Sequence, residues 1–252
     1  MNFWSFWNPR RANIEQLYID YDKNFQHNTV YRNNWVANTL AKIPEGCRIL
    51  DAGAGEQQYR SWCSHLDYVS QDFAQYDGQG DNKGLQSGKW DRKNLQIVCD
   101  IVDIPEPDAS FDAIMCTEVF EHLPNPVLAI KEFSRLLRKG GHLIITAPFC
   151  SLTHQSPYHF YTGFNRYFYE KHLPDYEFDI VEIESNGTYF KYLAQEIHRL
   201  TSIAKQYASN TPTKVEYIAL RIIINMLKKF DVRDKGSKDI LNFGYHVYAI
   251  KR

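Results

Sequence analysis

Residues 48–60 read Arg48-Ile49-Leu50-Asp51-Ala52-Gly53-Ala54-Gly55-Glu56-Gln57-Gln58-Tyr59-Arg60, RILDAGAGEQQYR. An apolar run stops at an aspartate, and two glycines follow one residue apart. A strand ending in such a turn exposes backbone amides, and the glycines let a ligand approach the chain closely. Gln57 and Gln58 stand where the dinucleotide fingerprint would put its third glycine. Asp51 would repel a pyrophosphate and suits a ligand with a cationic amino-acid head. An ordinary strand–helix turn accounts for the glycine pair alone equally well.

Working outward, short apolar or β-branched runs recur at DYVSQDF (67–73), LQIVCD (95–100), FDAIMCTEV (111–119) and HLIITAP (142–148). Each ends in polar or turn residues and predicts a strand. EQQYRSWCSHL (56–66) predicts a helix between the first two. Another helix is predicted to start at Asn125 and Pro126, with Val127, Ile130, Phe133, Leu136 and Leu137 on one face. Arg135, Arg138 and Lys139 would occupy its last turn, before Gly140-Gly141. Strands alternating with helices imply a parallel sheet covered on both faces. The Gly/Asp/Asn-rich stretch 74–94 predicts a long loop. FDIVEIESNG (178–187) and GYHVYAIK (244–251) predict two more strands, with mostly helical sequence at 188–235 between them.

Four strand ends carry polar residues. Asp51 closes the first. Asp72, followed by Phe73, closes the second about twenty residues on, where a carboxylate can grip a ribose diol. Asp100 in VCDIVDIP could accept from an adenine amino group while Ile101 packs on the ring. Thr117, Glu118 and His122 in CTEVFEHLPNP would face the crevice above the fourth strand. For His122, closing the pocket competes with capping a helix. Singly, each aspartate reads as a turn residue; the series in register is harder to explain that way.

As a set, RILDAGAG, YVSQDF, VCDIVDIP, SFDAIMCTEVFEHLPNP and EFSRLLRKGGHLIITAP resemble class I S-adenosylmethionine-dependent methyltransferases of the type 11 group, over roughly residues 45–190. The resemblance implies an α/β fold, a Rossmann-like seven-stranded, mostly parallel sheet with helices on both faces. It implies S-adenosylmethionine as cofactor, with Asp51, Ala52, Gly53 and Gly55 at the methionine part and Asp72 and Phe73 at the ribose. Asp100 and Ile101 would border the adenine, and Thr117 and Glu118 the methionine end; His122 would close the adenine or the methionine pocket. GAGEQQYR and the His-x-x-Pro-x-x-Phe-Tyr element at 154–161 resemble a branch found with glycan and polysaccharide assembly enzymes. Thr162 stands where that branch commonly has an arginine.

The expected organisation is one domain over 1–252. It comprises an N-terminal helical lid (1–44), a cofactor-binding core (45–187), a helical insertion (188–243) and a last strand (244–252). Tyr18, Tyr21, Tyr31 and Trp35 would belong to the lid. The expected reaction is direct displacement of a methyl group by a hydroxyl or amine of a small molecule or glycan. A hydroxyl acceptor needs a base. PFCSLTHQSPYHFYTGFN (148–165) would hang over the methyl donor, with His154, His159 and Tyr161 as candidate catalytic residues. The alternative for both histidines is hydrogen bonding within the loop. A non-catalytic S-adenosylmethionine-binding module and an NAD-dependent oxidoreductase are the rival functions; Asp51 speaks against the second.

Composition sets the outer bounds. The 252 residues are 44% hydrophobic, enough for a sizeable core. A formal net charge of −1 argues against a nucleic-acid binder held by phosphate contacts. Five scattered cysteines without a C-x-x-C indicate neither disulfides nor a zinc site, so no metal is expected. MNFWSFWNPRR lacks the apolar core of a signal peptide, and a cytoplasmic setting is the default expectation. VEYIALRIIINMLKKF (215–230) is too short to span a bilayer. It reads first as buried or as a dimer contact of a monomer or homodimer, and second as a peripheral membrane contact serving a lipid-linked substrate.

Overall fold

The computed structural model describes residues 28–88, 90 and 94–252. The described residues form two compact units, 29–186 with 243–252, and 187–242 with Asn28. The lid expectation for Tyr18 and Tyr21 lies outside the described residues.

Helix α1 (Asn28–Leu40), which lies in the larger unit from Thr29 on, buries Trp35, Val36, Thr39 and Leu40. Strands β1 (Arg48–Ala52), β2 (Asp67–Asp72), β3 (Ile97–Val98) and β4 (Phe111–Thr117) follow. Then come helix α2 (Pro126–Leu136), strand β5 (Leu137–Pro148), helix α3 (Arg166–Asp175), strand β6 (Phe178–Asn186) and strand β7 (Gly244–Lys251). The seven strands form one sheet in the order β3-β2-β1-β4-β5-β7-β6. Pairs from β3 to β5 are parallel, and β7 runs antiparallel to both β5 and β6. The expected fold class is therefore the observed one.

Alternation along the strands builds two hydrophobic layers, because successive side chains point to opposite faces. Leu50, Ile114, Cys116, Leu143 and Ile145 pack with Ile130, Phe133 and Leu136 of α2 and with Tyr169 and Leu173 of α3. Ile49, Ala113, Met115 and Ile144 share the other layer with Trp35, Val36 and Leu40 of α1. Asp51 has the parity of Ile49. Its carboxyl therefore belongs to the face that α1 covers, and it is 2% exposed.

Three local expectations differ from the structure. The helix expected at 56–66 is one short 3₁₀ turn, Arg60–Cys63. Gln57 adopts a left-handed φ of 58°, which cannot propagate a right-handed helix. The helix after Asn125 starts at Pro126 as expected but stops at Leu136, and Asn125 makes no side-chain cap. Leu137 already pairs with Phe111, so Arg138, Lys139 and both glycines belong to β5. Of the strand expected at 95–100, only Ile97 and Val98 pair, opposite Gln71 and Asp72.

Residues 74–88 contain no helix or strand. A bridge between Leu85 and His154 fastens this loop to the segment after β5. Leu85 N donates to Thr153 O at 2.9 Å, and Gln155 N returns a bond to Leu85 O at 2.9 Å.

The smaller unit holds helices α4 (Tyr189–Tyr207) and α5 (Lys214–Asp231). A capping box between Thr213 and Glu216 starts α5. Burial, expected for 215–230, applies to Ile224 and Leu227. Val215, Ile218, Ile222, Met226 and Phe230 form an exposed apolar stripe. Among the described residues, no helix is long and apolar enough to cross a membrane.

Candidate active site

The sheet order reverses direction between β1 and β4, which come from opposite sides of the topological switch point. Ligands of open α/β sheets sit in the crevice at the carboxyl ends there. A cavity of about 670 Å³ opens at that place, a size suited to a cofactor with a small acceptor.

Its floor is the turn after β1. Gly53 has a φ of 75°, and a Cβ there would lie 2.5 Å from Val119 Cγ2. Gly55 has a φ of 50°, and a Cβ there would lie 3.1 Å from the Trp90 ring. The turn is therefore restricted to glycine by both dihedral and space. Gly53 N donates to Gln71 O at 2.9 Å, and Gly55 N donates to Asp72 Oδ2 at 3.0 Å. Asp72 Oδ1 also accepts from Ala74 N at 2.8 Å. The Asp72 carboxylate thus braces the glycine turn as well as lining the cavity.

Asp51 Oδ2 accepts from the Tyr68 hydroxyl at 2.5 Å. Burial pushes the Asp51 carboxyl up to about 7, the Tyr68 bond opposes this, and the nearby Asp72 charge adds to it. Glu118 directly follows β4 with a φ of 55°, a conformation costly for a non-glycine residue and typical of constrained sites. Its Oε1 accepts from Thr146 Oγ1 at 3.0 Å, and its Oε2 pairs with Arg32 Nη1 at 2.8 Å. Burial opposes the Arg32 charge, but Glu118 and Tyr59 outweigh it and raise the Arg32 pKa. Tyr59, buried, donates its hydroxyl to Asn33 Oδ1 at 3.1 Å. α1 is in this way tied to the site by Arg32 and Asn33.

Asp51, Gly53, Gly55, Asp72, Phe73, Asp100, Ile101, Thr117, Glu118 and His122 all line the cavity. Ala52 is fully buried beneath it, in the core. His154, His159 and Tyr161 are outside the lining. Their neighbours Gln155, Tyr158 and Phe160 are on it. Tyr161 donates its hydroxyl to Pro124 O at 3.2 Å. His159 Nε2 lies 3.1 Å from Ser151 Oγ, and His154 Nδ1 lies 2.9 Å from Leu152 O.

The histidines nonetheless reach the cavity through His122. Its ring centroid is 4.7 Å from that of His154 and 5.9 Å from that of His159. Burial, and then the His154 charge, pushes His122 down to about 3, so it is neutral at pH 7. Burial and His154 likewise lower His159. The cap alternative for His122 has no counterpart in its bonding, since its Nδ1 contacts Tyr158 O at 2.6 Å.

Sequence reasoning missed Arg32, Gln71 and Trp90, which line the cavity with Tyr158 of the loop expected to cover it. Gln71 points at the glycine turn from the neighbouring strand, accepting from Gly53 N at 3.2 Å and donating to Cys99 O at 2.8 Å. Its position one residue before Asp72 was the available signal. No local pattern marks the other two.

Residues 50–145 match the Methyltransf_11 family, described as a methyltransferase domain. The ubiquinone biosynthesis O-methyltransferase of Alkalilimnicola ehrlichii is 30% identical over 124 residues, 46% of this chain and 47% of that one. Its counterpart in Xylella fastidiosa strain M23 is 36% identical over 63 residues, 25% of each chain. The chain spans less than half the length of these curated relatives. Among solved structures, a Galdieria sulphuraria protein assigned as a sarcosine dimethylglycine methyltransferase superposes with a TM-score of 0.53 at 14% identity, covering 88% of this chain and 86% of that one. The [4+2]-cyclase SpnF superposes with a TM-score of 0.50 at 16% identity, covering 86% and 79%. These likenesses establish the fold, and the cyclase is a reminder that the fold alone does not fix the reaction.

Proposed function

We propose that this protein is an S-adenosylmethionine-dependent methyltransferase acting on a hydroxyl of a small molecule or glycan. The observation that carries the reading is one cavity lined together by Asp51, Gly53, Gly55, Asp72, Asp100, Ile101 and Glu118 at or beside successive strand ends. The match of residues 50–145 to a methyltransferase domain supports it. The O-methyltransferase names of the partial relatives favour a hydroxyl over an amine.

The residues present fit this cofactor. The turn at Gly53 and Gly55 is a cradle that any Cβ would fill. Asp51 is a buried carboxyl that has no ion-pair partner among the described residues, suited to an ammonium group. Asp72 would take the ribose hydroxyls, and Asp100 with Ile101 the adenine. When bound, the cofactor supplies an electrophilic methyl group on a sulfonium centre.

What the chain itself contributes is orientation and exclusion of water. Holding nucleophile and methyl in line can supply roughly 7–11 kcal/mol of the barrier. Tyr158 and Phe160 wall the cavity from the loop side, and Trp90 closes it over Gly55. His159, whose ring lies beside those of His154 and His122, would take the proton of a hydroxyl acceptor. A lipid-linked acceptor is supported by the exposed stripe of α5, where Lys228 and Lys229 lie near Met226 and Phe230. Co-sedimentation with anionic vesicles, compared with an Ile218→Ser/Ile222→Ser double variant, tests that point.

Calorimetry with S-adenosylmethionine and with NADH tests the central reading. Micromolar-range binding of the former is the expected outcome. Binding of NADH alone would overturn it and favour an oxidoreductase.

A further inference from the structure

Glu121 is 1% exposed, and its Oε2 has no hydrogen-bond partner among the described residues. A buried carboxylate in that condition is costly unless a positive charge compensates it. No lysine or arginine pairs with it among the described ion pairs. Instead two imidazoles face it: His122 Nε2 and His154 Nε2 each lie 3.8 Å from Glu121 Oε1.

That separation is too long for a hydrogen bond. It is a few tenths of an ångström wider than the roughly 3.4 Å between two ligand atoms that each sit about 2.0–2.2 Å from one tetrahedral ion, so binding would draw the three groups together slightly. One donor atom from each of the three residues lies within 4.8 Å of the other two. The ring orientations agree. His122 Nδ1 is held by Tyr158 O at 2.6 Å and His154 Nδ1 by Leu152 O at 2.9 Å. Backbone carbonyls that take Nδ1–H fix the tautomer in which Nε2 carries the lone pair, the usual outer arrangement of metal-bound histidine.

We propose that Glu121, His122 and His154 form a binding site for a first-row divalent cation. Two imidazole nitrogens and one carboxylate oxygen favour zinc or cobalt over magnesium or calcium, which prefer all-oxygen shells. Three protein ligands leave at least one position open. Since His122 lines the cavity, that position is adjacent to where an acceptor would reach. The ion also fastens two segments, the 3₁₀ turn Phe120–His122 and the loop after β5 that carries His154. His159, with its ring centroid 4.7 Å from that of His154, borders the site. Cysteine spacing gave no hint of it, because none of the five cysteines takes part.

The test uses the whole chain, stripped with chelator and titrated with cobalt(II). One cobalt per chain is expected, with visible d–d absorption of a low-symmetry, nitrogen-containing site. His154→Ala and Glu121→Gln should each weaken binding by about 100-fold and bleach the absorption. His154 is on an exposed loop and Glu121→Gln keeps the side-chain volume, so circular dichroism of both variants should match the parent. Absence of stoichiometric cobalt binding, or binding unchanged in both variants, overturns the proposal. S-adenosylmethionine affinity measured on the metal-free chain separates the two readings. If it persists while cobalt does not bind, the metal site fails and the methyltransferase reading stands.

Discussion

The two walls of the cavity are built differently. On the side proposed for the cofactor, Asp51 and Asp72 lie at the ends of β1 and β2 within parallel ladders, and Glu118 directly follows β4. On the opposite side, the 149–165 loop is held by side-chain bonds to backbone, by the Leu85–His154 bridge and by packed histidine rings. The first wall is held by the hydrogen-bonded sheet itself. The second depends on a few contacts that neighbouring loops supply, which is where acceptor specificity is usually placed.

The comparison can be broken most directly at Asp72. Asp72→Ala removes the brace on Gly55 N and the group assigned to the ribose hydroxyls. Two hydroxyl–carboxylate bonds at about 1.5 kcal/mol each imply a cofactor affinity about 100-fold weaker by calorimetry. The bonds to Gly55 and Ala74 add a loss of fold stability, to be read by thermal melting. Unchanged affinity would remove Asp72 from the cofactor wall.

Arg32→Ala should have the next largest effect. It leaves Glu118 partly buried without its ion-pair partner, at a cost of about 1–2 kcal/mol in unfolding free energy. Denaturant midpoints of Arg32→Ala and of Arg32→Ala/Glu118→Gln should differ, with the double variant recovering part of the loss. If both single and double variants melt like the parent, α1 is not fastened to the site through this pair.

Asp51 sharpens the contrast through pH. Its folded-state carboxyl, pushed up to about 7 from an ordinary 3.8, holds its proton more tightly than the unfolded chain does. The stability this contributes is complete below about pH 4 and is lost as pH rises through about 7. The melting temperature of the ligand-free chain should therefore fall by several degrees between those limits, relative to Asp51→Asn. Cofactor affinity should rise over the same interval, because an ammonium group needs the carboxylate. A flat difference between the two melting curves would refute the assignment.

The smallest effect is expected on the loop wall. Tyr161→Phe removes one exposed bond to Pro124 O and should change stability by less than about 0.5 kcal/mol. Cofactor affinity should stay within twofold of the parent. A marked loss of turnover in Tyr161→Phe would support Tyr161 as a catalytic residue.

Much of the cofactor wall was legible because its signals are local. Apolar alternation placed β1, β2, β4, β5, β6 and β7, and turn chemistry placed the residues that end them. The errors were local as well. EQQYRSWCSHL has helical composition, but a left-handed Gln57 limits it to one 3₁₀ turn. RLLRKGG looked like a helix end, yet Leu137 pairs with Phe111 and draws the segment into β5. Pairing with a neighbouring strand outweighs a helix propensity worth a few tenths of a kcal/mol per residue.

The acceptor wall was only half legible. His154 and His159 were visible as titratable residues in the right loop, but their distance from the cavity lining was not. Arg32 and Glu118 are 86 positions apart, and nothing in either segment announces their pairing. The same holds for Glu121 and His154, brought together from a turn after β4 and a loop after β5. From its order of residues alone this protein determined its strands, its glycine turn and the series Asp51, Asp72, Asp100, because those depend on near neighbours and on a period of two. Tertiary structure alone decided the burial that raises Asp51, the salt bridge that ties down α1 and the convergence of Glu121 with two imidazoles. These arise from solvent exclusion and long-range approach, which no stretch of sequence contains.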